Sequence, residues 1–134
     1  MEAAYREALT RKHAFFCVEH LLYALLFDDE NPVAHNWVHW LVTDIPASAT
    51  EIPEGASRTA NMPASSRELV TSWGNAGYDG PQPPKGTGPH AYVAHLFALD
   101  AEKLNVPEKI SRDAFLKATQ PHTIAEGTYT GLFG

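Results

Sequence analysis

Pro83-Pro84-Lys85-Gly86-Thr87-Gly88-Pro89-His90-Ala91-Tyr92 runs directly into Val93-Ala94-His95-Leu96-Phe97-Ala98-Leu99-Asp100. The two leading prolines fix φ and remove backbone donors. Gly86 and Gly88 let the chain turn and approach a ligand closely. Tyr92 to Asp100 is rich in aromatic and aliphatic residues and reads as a buried strand. Side chains alternate along a strand, so His90 and Tyr92 share one face. Both can donate hydrogen bonds, and the glycines beside them expose N–H groups. Together they form a concavity suited to an anion.

The strand implies a β-rich domain, and the flanking segments extend it. Trp37 to Ile45 (WVHWLVTDI) is a second run of β-branched and aromatic residues, with His39 in its middle. A polar ring inside such a strand needs a partner or a cavity. Residues 46–70 carry Pro46, Pro53 and Pro63 and read as a long surface loop with room for one short strand. Ser111 is a good N-cap for a short helix over Arg112 to Thr119. Residues 123–133 (TIAEGTYTGLF) alternate enough to close the sheet. The fold class is therefore mainly β with peripheral helices, α+β overall.

At the other end, residues 1–27 read as a helical segment. Glu2 to Thr10 holds strong helix formers, and Leu21, Leu22, Leu25 and Leu26 fall at helical spacing. The run Glu19 to Phe27 is also short enough to be a buried strand. Ala8 to Leu26, with Arg11-Lys12-His13 and Val18-Glu19-His20-Leu21-Leu22, resembles the start of the Clp ATPase N-terminal domain. That resemblance implies a helical protein-interaction segment over residues 1–27 and a second domain over residues 28–134. No phosphate-binding G-x-x-x-x-G-K-[ST] loop occurs, so no ATPase activity follows.

Composition narrows the function classes. The chain has 134 residues, 44% hydrophobic and 19% charged, with net charge −6. That suits one globular domain. There is no basic run, so nucleic acid is not an expected partner. The single cysteine, Cys17, allows no intrachain disulfide. No apolar run reaches membrane-spanning length, and residues 1–16 lack the order of a signal peptide. The expected location is cytoplasmic, without integral membrane association. His35, His39, His90, His95 and His122 do not converge as a metal set by spacing, so no metal and no cofactor is expected.

Four segments together resemble the phosphatidylethanolamine-binding protein (PEBP) family, in its bacterial Raf-kinase-inhibitor-like branch. They are Trp37-Val38-His39-Trp40 with Asp44-Ile45-Pro46-Ala47, Gly77 to Pro84, Gly88-Pro89-His90-Ala91-Tyr92, and His122 through Ala125 with Gly131. The match runs from about Asn31 to Gly134. It implies a β-sandwich-like core with peripheral helices, here lacking the family's first strands, as in a chimera. It also implies a small pocket for phosphate, phospholipid headgroups or similar anions. By resemblance His39, His90 and Tyr92 line that pocket, with Gln82 and Pro84 at its lip. Asp28 and Glu30 would form its acidic wall. Ala91 stands where the family motif has Arg, and Gln82 where the branch commonly has Cys.

The functional expectation is a non-enzymatic binding module for a small anion or phosphate-containing ligand. The resemblance adds an inhibitor-like regulator of a kinase or protease, and a homodimer. No nucleophile–histidine–acid set can be assembled with specificity, so the chain is not expected to be an enzyme. The alternatives are a Clp-type protein-interaction module and a hydrolase built on His39 and His90 with an acid from Asp28 to Glu30.

Overall fold

The computed structural model describes residues 21–134. Its frame is one antiparallel sheet of five strands in the order β3-β2-β1-β4-β5. The strands are β1 (Leu21–Asp29), β2 (Trp37–Pro46), β3 (Arg67–Glu68), β4 (His90–Asp100) and β5 (Thr123–Phe133). One helix, α1 (Arg112–Thr119), lies beside it. The mainly β expectation holds, as do the strand readings at Trp37, Tyr92 and Thr123 and the helix after Ser111.

The helical reading of residues 21–27 is corrected. This segment is β1, the central strand, paired with β2 on one side and β4 on the other. A central strand buries both faces, so its sequence is continuously apolar rather than alternating. The leucines of LLYALLF fit a helical face and a two-sided strand equally well. β1 also runs through the 27/28 position, so no domain boundary falls there. The remainder of the Clp-like stretch, residues 8–20, lies outside the described residues.

Both faces of the sheet are covered. On one, Leu22, Ala24 and Leu26 of β1 meet Phe97 and Leu99 of β4 beneath Phe115 of α1. On the other, Tyr23, Val42, Leu96 and Ala98 pack under Ile52 and Met62 of the long loop after β2. The loop is anchored by Glu68, whose carboxylate accepts from Trp40 Nε1 (2.8 Å), Ser57 Oγ (2.5 Å) and the Arg58 amide (2.8 Å). Burial opposes ionisation of Glu68, but these donors and the Arg58 charge outweigh it and hold its pKa below the ordinary value.

Helix α1 is only 8 residues long. A helix of that length is marginal alone and depends on its cap and its packing. Ser111 Oγ accepts from the Ala114 amide at 3.1 Å, which satisfies one otherwise free donor of the first turn. Ser111→Ala is expected to lower stability by about 1 kcal/mol. Urea denaturation tests this, and an unchanged midpoint would show that the cap contributes nothing.

Candidate functional site

Strand alternation and one bulge together assemble the site. Asp29 pairs with Tyr92 across β1 and β4, which places Asp29, Tyr92 and His90 on one face. In β2 the register slips by one residue. Phe27 opposes Trp40 and Asp28 opposes Val38, so His39 is the extra residue of a β-bulge. Regular alternation would turn His39 away from Trp40. The bulge instead turns it toward Phe27 and Tyr92, with ring centroids 6.2 and 5.4 Å away.

His90 is fully buried. Its Nδ1 lies 2.6 Å from Asp29 Oδ2 and its Nε2 lies 2.7 Å from Thr87 Oγ1. The Thr87 hydroxyl donates its own proton to the Pro84 carbonyl at 2.7 Å. Oγ1 is therefore an acceptor toward Nε2, while the carboxylate accepts from Nδ1. Both ring nitrogens are thus taken up by partners within the protein. Gly86 and Gly88, at φ 83° and 76°, give the backbone the left-handed turns that bring Thr87 onto the ring.

His39 is held differently. Its Nδ1 donates to the Asp79 carbonyl at 2.8 Å. Trp73 Nε1, at 3.5 Å from the same nitrogen, is an edge contact, because a donating Nδ1 has no lone pair to offer. Nε2 is thus the polar atom that His39 presents to a ligand. The carbonyl is positioned by Arg58, which bonds Ala76 O, Tyr78 O and Asp79 Oδ2, each at 2.9 Å. Gly77 lets the loop pass this guanidinium, since a Cβ there would come within 2.5 Å of Arg58 Nε.

Tyr92 completes the group. Its ring lies 6.3 Å from His90, and its hydroxyl is buried without a hydrogen-bond partner. Burial, reinforced by the negative charge of Asp29, pushes its pKa up to about 12. Asp29 acts on the phenol through its charge without closing a hydrogen bond of good geometry. Tyr92 therefore stays a protonated donor at neutral pH.

The structure brings together His39, His90 and Tyr92 as expected from sequence. Pro84 contributes only its carbonyl, and Gln82 is exposed on the same loop. Asp28 and Glu30 are corrected: they do not join this group. Asp28 projects from the opposite sheet face, because neighbouring residues of a strand alternate, and Asp29 takes the place beside His90. On that opposite face Asp28 meets Arg112 Nε at 2.7 Å, and Glu30 meets His95 Nε2 at 2.6 Å. Burial opposes ionisation of Asp28. The neighbouring His95 ring and the Arg112 guanidinium outweigh it and keep its pKa low. The same Asp28 carboxylate, with Glu30, raises the His95 pKa against the effect of burial. Asp29 and Thr87 were missed in the sequence. Reading residues 21–29 as a strand would have found Asp29 by alternation.

Open clefts of about 570 and 720 Å³ lie elsewhere, one beside α1 and β5, the other beside Ser72 and Lys109. Among the described residues, no helix is long and apolar enough to cross a membrane.

A family model described as phosphatidylethanolamine-binding protein matches residues 17–134. The UPF0098 protein YbhB of Escherichia coli is 33% identical over 108 residues, covering 80% of this chain and 68% of that protein. A UPF0098 protein of Methanothermobacter thermautotrophicus is 32% identical over 110 residues, covering 82% of this chain and 71% of that protein. The crystal structure of Escherichia coli YbcL superposes with a TM-score of 0.77 at 30% identity, over 86% of this chain and 72% of that one. The family match begins at residue 17, before the Asn31 start read from sequence.

Proposed function

Because the chain belongs to the phosphatidylethanolamine-binding protein family, we propose that it is a non-enzymatic binding module that holds a small anion or phosphate-bearing headgroup among His39, His90 and Tyr92. One observation carries the proposal. Two histidines and a tyrosine from different strands converge, with ring centroids 5.4 Å (His39–Tyr92) and 6.3 Å (His90–Tyr92) apart. The Tyr92 hydroxyl is a donor with no partner, and His39 Nε2 is oriented by the bond on Nδ1. The Tyr92 hydroxyl can donate to a phosphoryl or carboxylate oxygen, and His39 Nε2 can accept from a phosphate hydroxyl, or donate when the ring is protonated. Asp29 fixes the His90 ring through its bond to Nδ1, so it is a positioning residue.

Titration with inorganic phosphate and with phosphoethanolamine, followed by amide NMR, tests the reading. Shifts are expected around His39, His90 and Tyr92, and they should vanish in His90→Ala. Tyr92→Phe removes only the hydroxyl and should weaken binding by about 1.5–3 kcal/mol, the usual worth of a hydrogen bond to a charged group. A well-dispersed spectrum without shifts would defeat the proposal.

A hydrolase is the second reading, favoured by the line Thr87 Oγ1–His90–Asp29 with contacts of 2.7 and 2.6 Å. It resembles a nucleophile–base–acid arrangement. Against it, both nitrogens of His90 already donate, which leaves no basic nitrogen for Thr87. Turnover of 4-nitrophenyl acetate that disappears in Thr87→Val would establish this reading over the first.

A further inference from the structure

On the sheet face away from His90, Asp28, Glu30 and His95 each offer one ligand-type atom, and these atoms all lie within 4.8 Å of one another. Two strands and a backbone bond place them. His95 pairs with Leu26 and Val93 with Asp28, so Asp28 and His95 are diagonal neighbours across β1 and β4. Glu30 is tied alongside by its amide, which donates to the Ala91 carbonyl at 2.8 Å.

The hydrogen-bond count at this point does not close. His95 Nε2 lies 2.6 Å from Glu30 Oε2 and 3.4 Å from Asp28 Oδ1. One ring nitrogen carries one proton, and the shorter contact takes it. Asp28 is fully buried, yet its Oδ1 has no hydrogen-bond partner. A buried carboxylate oxygen facing a nitrogen with no proton between them is an unfilled acceptor. A cation in place of the His95 proton would be shared by all three atoms.

We propose that Asp28, Glu30 and His95 form a binding site for a divalent transition-metal ion of zinc type. One imidazole and two carboxylates are borderline donors suited to zinc, and three protein ligands leave a fourth position for water. Arg112 Nε, 2.7 Å from Asp28 Oδ2, holds the carboxylate from behind and leaves Oδ1 for the ion. The His95 and Glu30 side chains are 20% and 33% exposed, which gives the ion a route from solvent.

Isothermal titration of the full chain with zinc chloride and with magnesium chloride tests this, on wild type, Glu30→Gln and His95→Gln. One zinc per chain is expected in wild type, with a matching rise in Tm. Each substitution should weaken zinc by more than the about 10–100-fold that follows loss of an outer-shell partner. Magnesium should give no comparable heat. Absence of zinc binding in wild type, equal affinity for magnesium, or zinc binding unchanged in the variants would overturn the proposal. Unchanged binding would place the ion on other side chains. Glu30→Gln lies at the surface and decides the matter if His95→Gln does not fold.

Discussion

Asp29→Ala is expected to cost about 3–5 kcal/mol of folding stability, the usual penalty for breaking a buried ion pair. His90 is fully buried and Asp29 nearly so, and they meet at 2.6 Å. Removing the carboxylate leaves the buried His90 Nδ1 without its partner. The same carboxylate accepts from the Asn31 amide at 3.0 Å, so the turn after β1 loses its anchor as well. Most domains have only about 5–15 kcal/mol in total, which makes this a large share. Urea denaturation of Asp29→Ala, His90→Gln and the double variant gives the pair its own value as a double-mutant cycle. The double variant should be less destabilised than the sum of the singles. A single-site loss below about 1 kcal/mol, as for an exposed pair, would show that His90 carries no charge there. The anion binding proposed for this site should fall with Asp29 even where the fold persists, because the His90 ring loses its orientation.

Phe115→Ala should cost a comparable about 3–5 kcal/mol, for a different reason. Phe115 is fully buried and packs with Leu22, Ala24, Leu26, Phe97 and Leu99. It is the main apolar side chain by which α1 covers its face of the sheet. Truncation removes the transfer free energy of the ring and leaves a cavity over the centre of β1 and β4. Phe115→Leu, nearer in volume, should cost much less. The effect should reach Asp28, because Arg112 opens the same helix. Thermal and urea unfolding of the two variants give the measurement. A loss for Phe115→Ala no larger than for Phe115→Leu would mean that the site collapses around the smaller side chain.

Much of the fold could be read from local pattern. Tyr92 to Asp100 and Trp37 to Ile45 are strands because β-branched and aromatic residues recur there between turn residues. Arg112 to Thr119 is a helix because Ser111 caps it. Placing His90 and Tyr92 on one face needed only the two-residue period of a strand. β1 escaped the same logic. Its leucines lie on both faces of a strand buried on both sides, so no periodicity separates strand from helix. From that ambiguity came the choice of Asp28 and Glu30 over Asp29, since only a strand assignment tells neighbouring acids apart.

The sequence by itself determined the β-rich class, the family, the capped helix and the pairing of His90 with Tyr92. Those features rest on residue type and on spacing within one segment. Tertiary structure alone decided the rest. His39 faces Tyr92 because β2 slips one residue against β1, a mismatch between two strands that neither encodes alone. Asp29 reaches His90, and Asp28 meets His95 and Arg112, because β1 sits between β2 and β4 and sends alternate side chains to opposite faces. Thr87 meets His90 because two glycines turn the loop back onto its own strand. Each is a relation between segments fixed by packing, and periodicity within a segment carries no record of it.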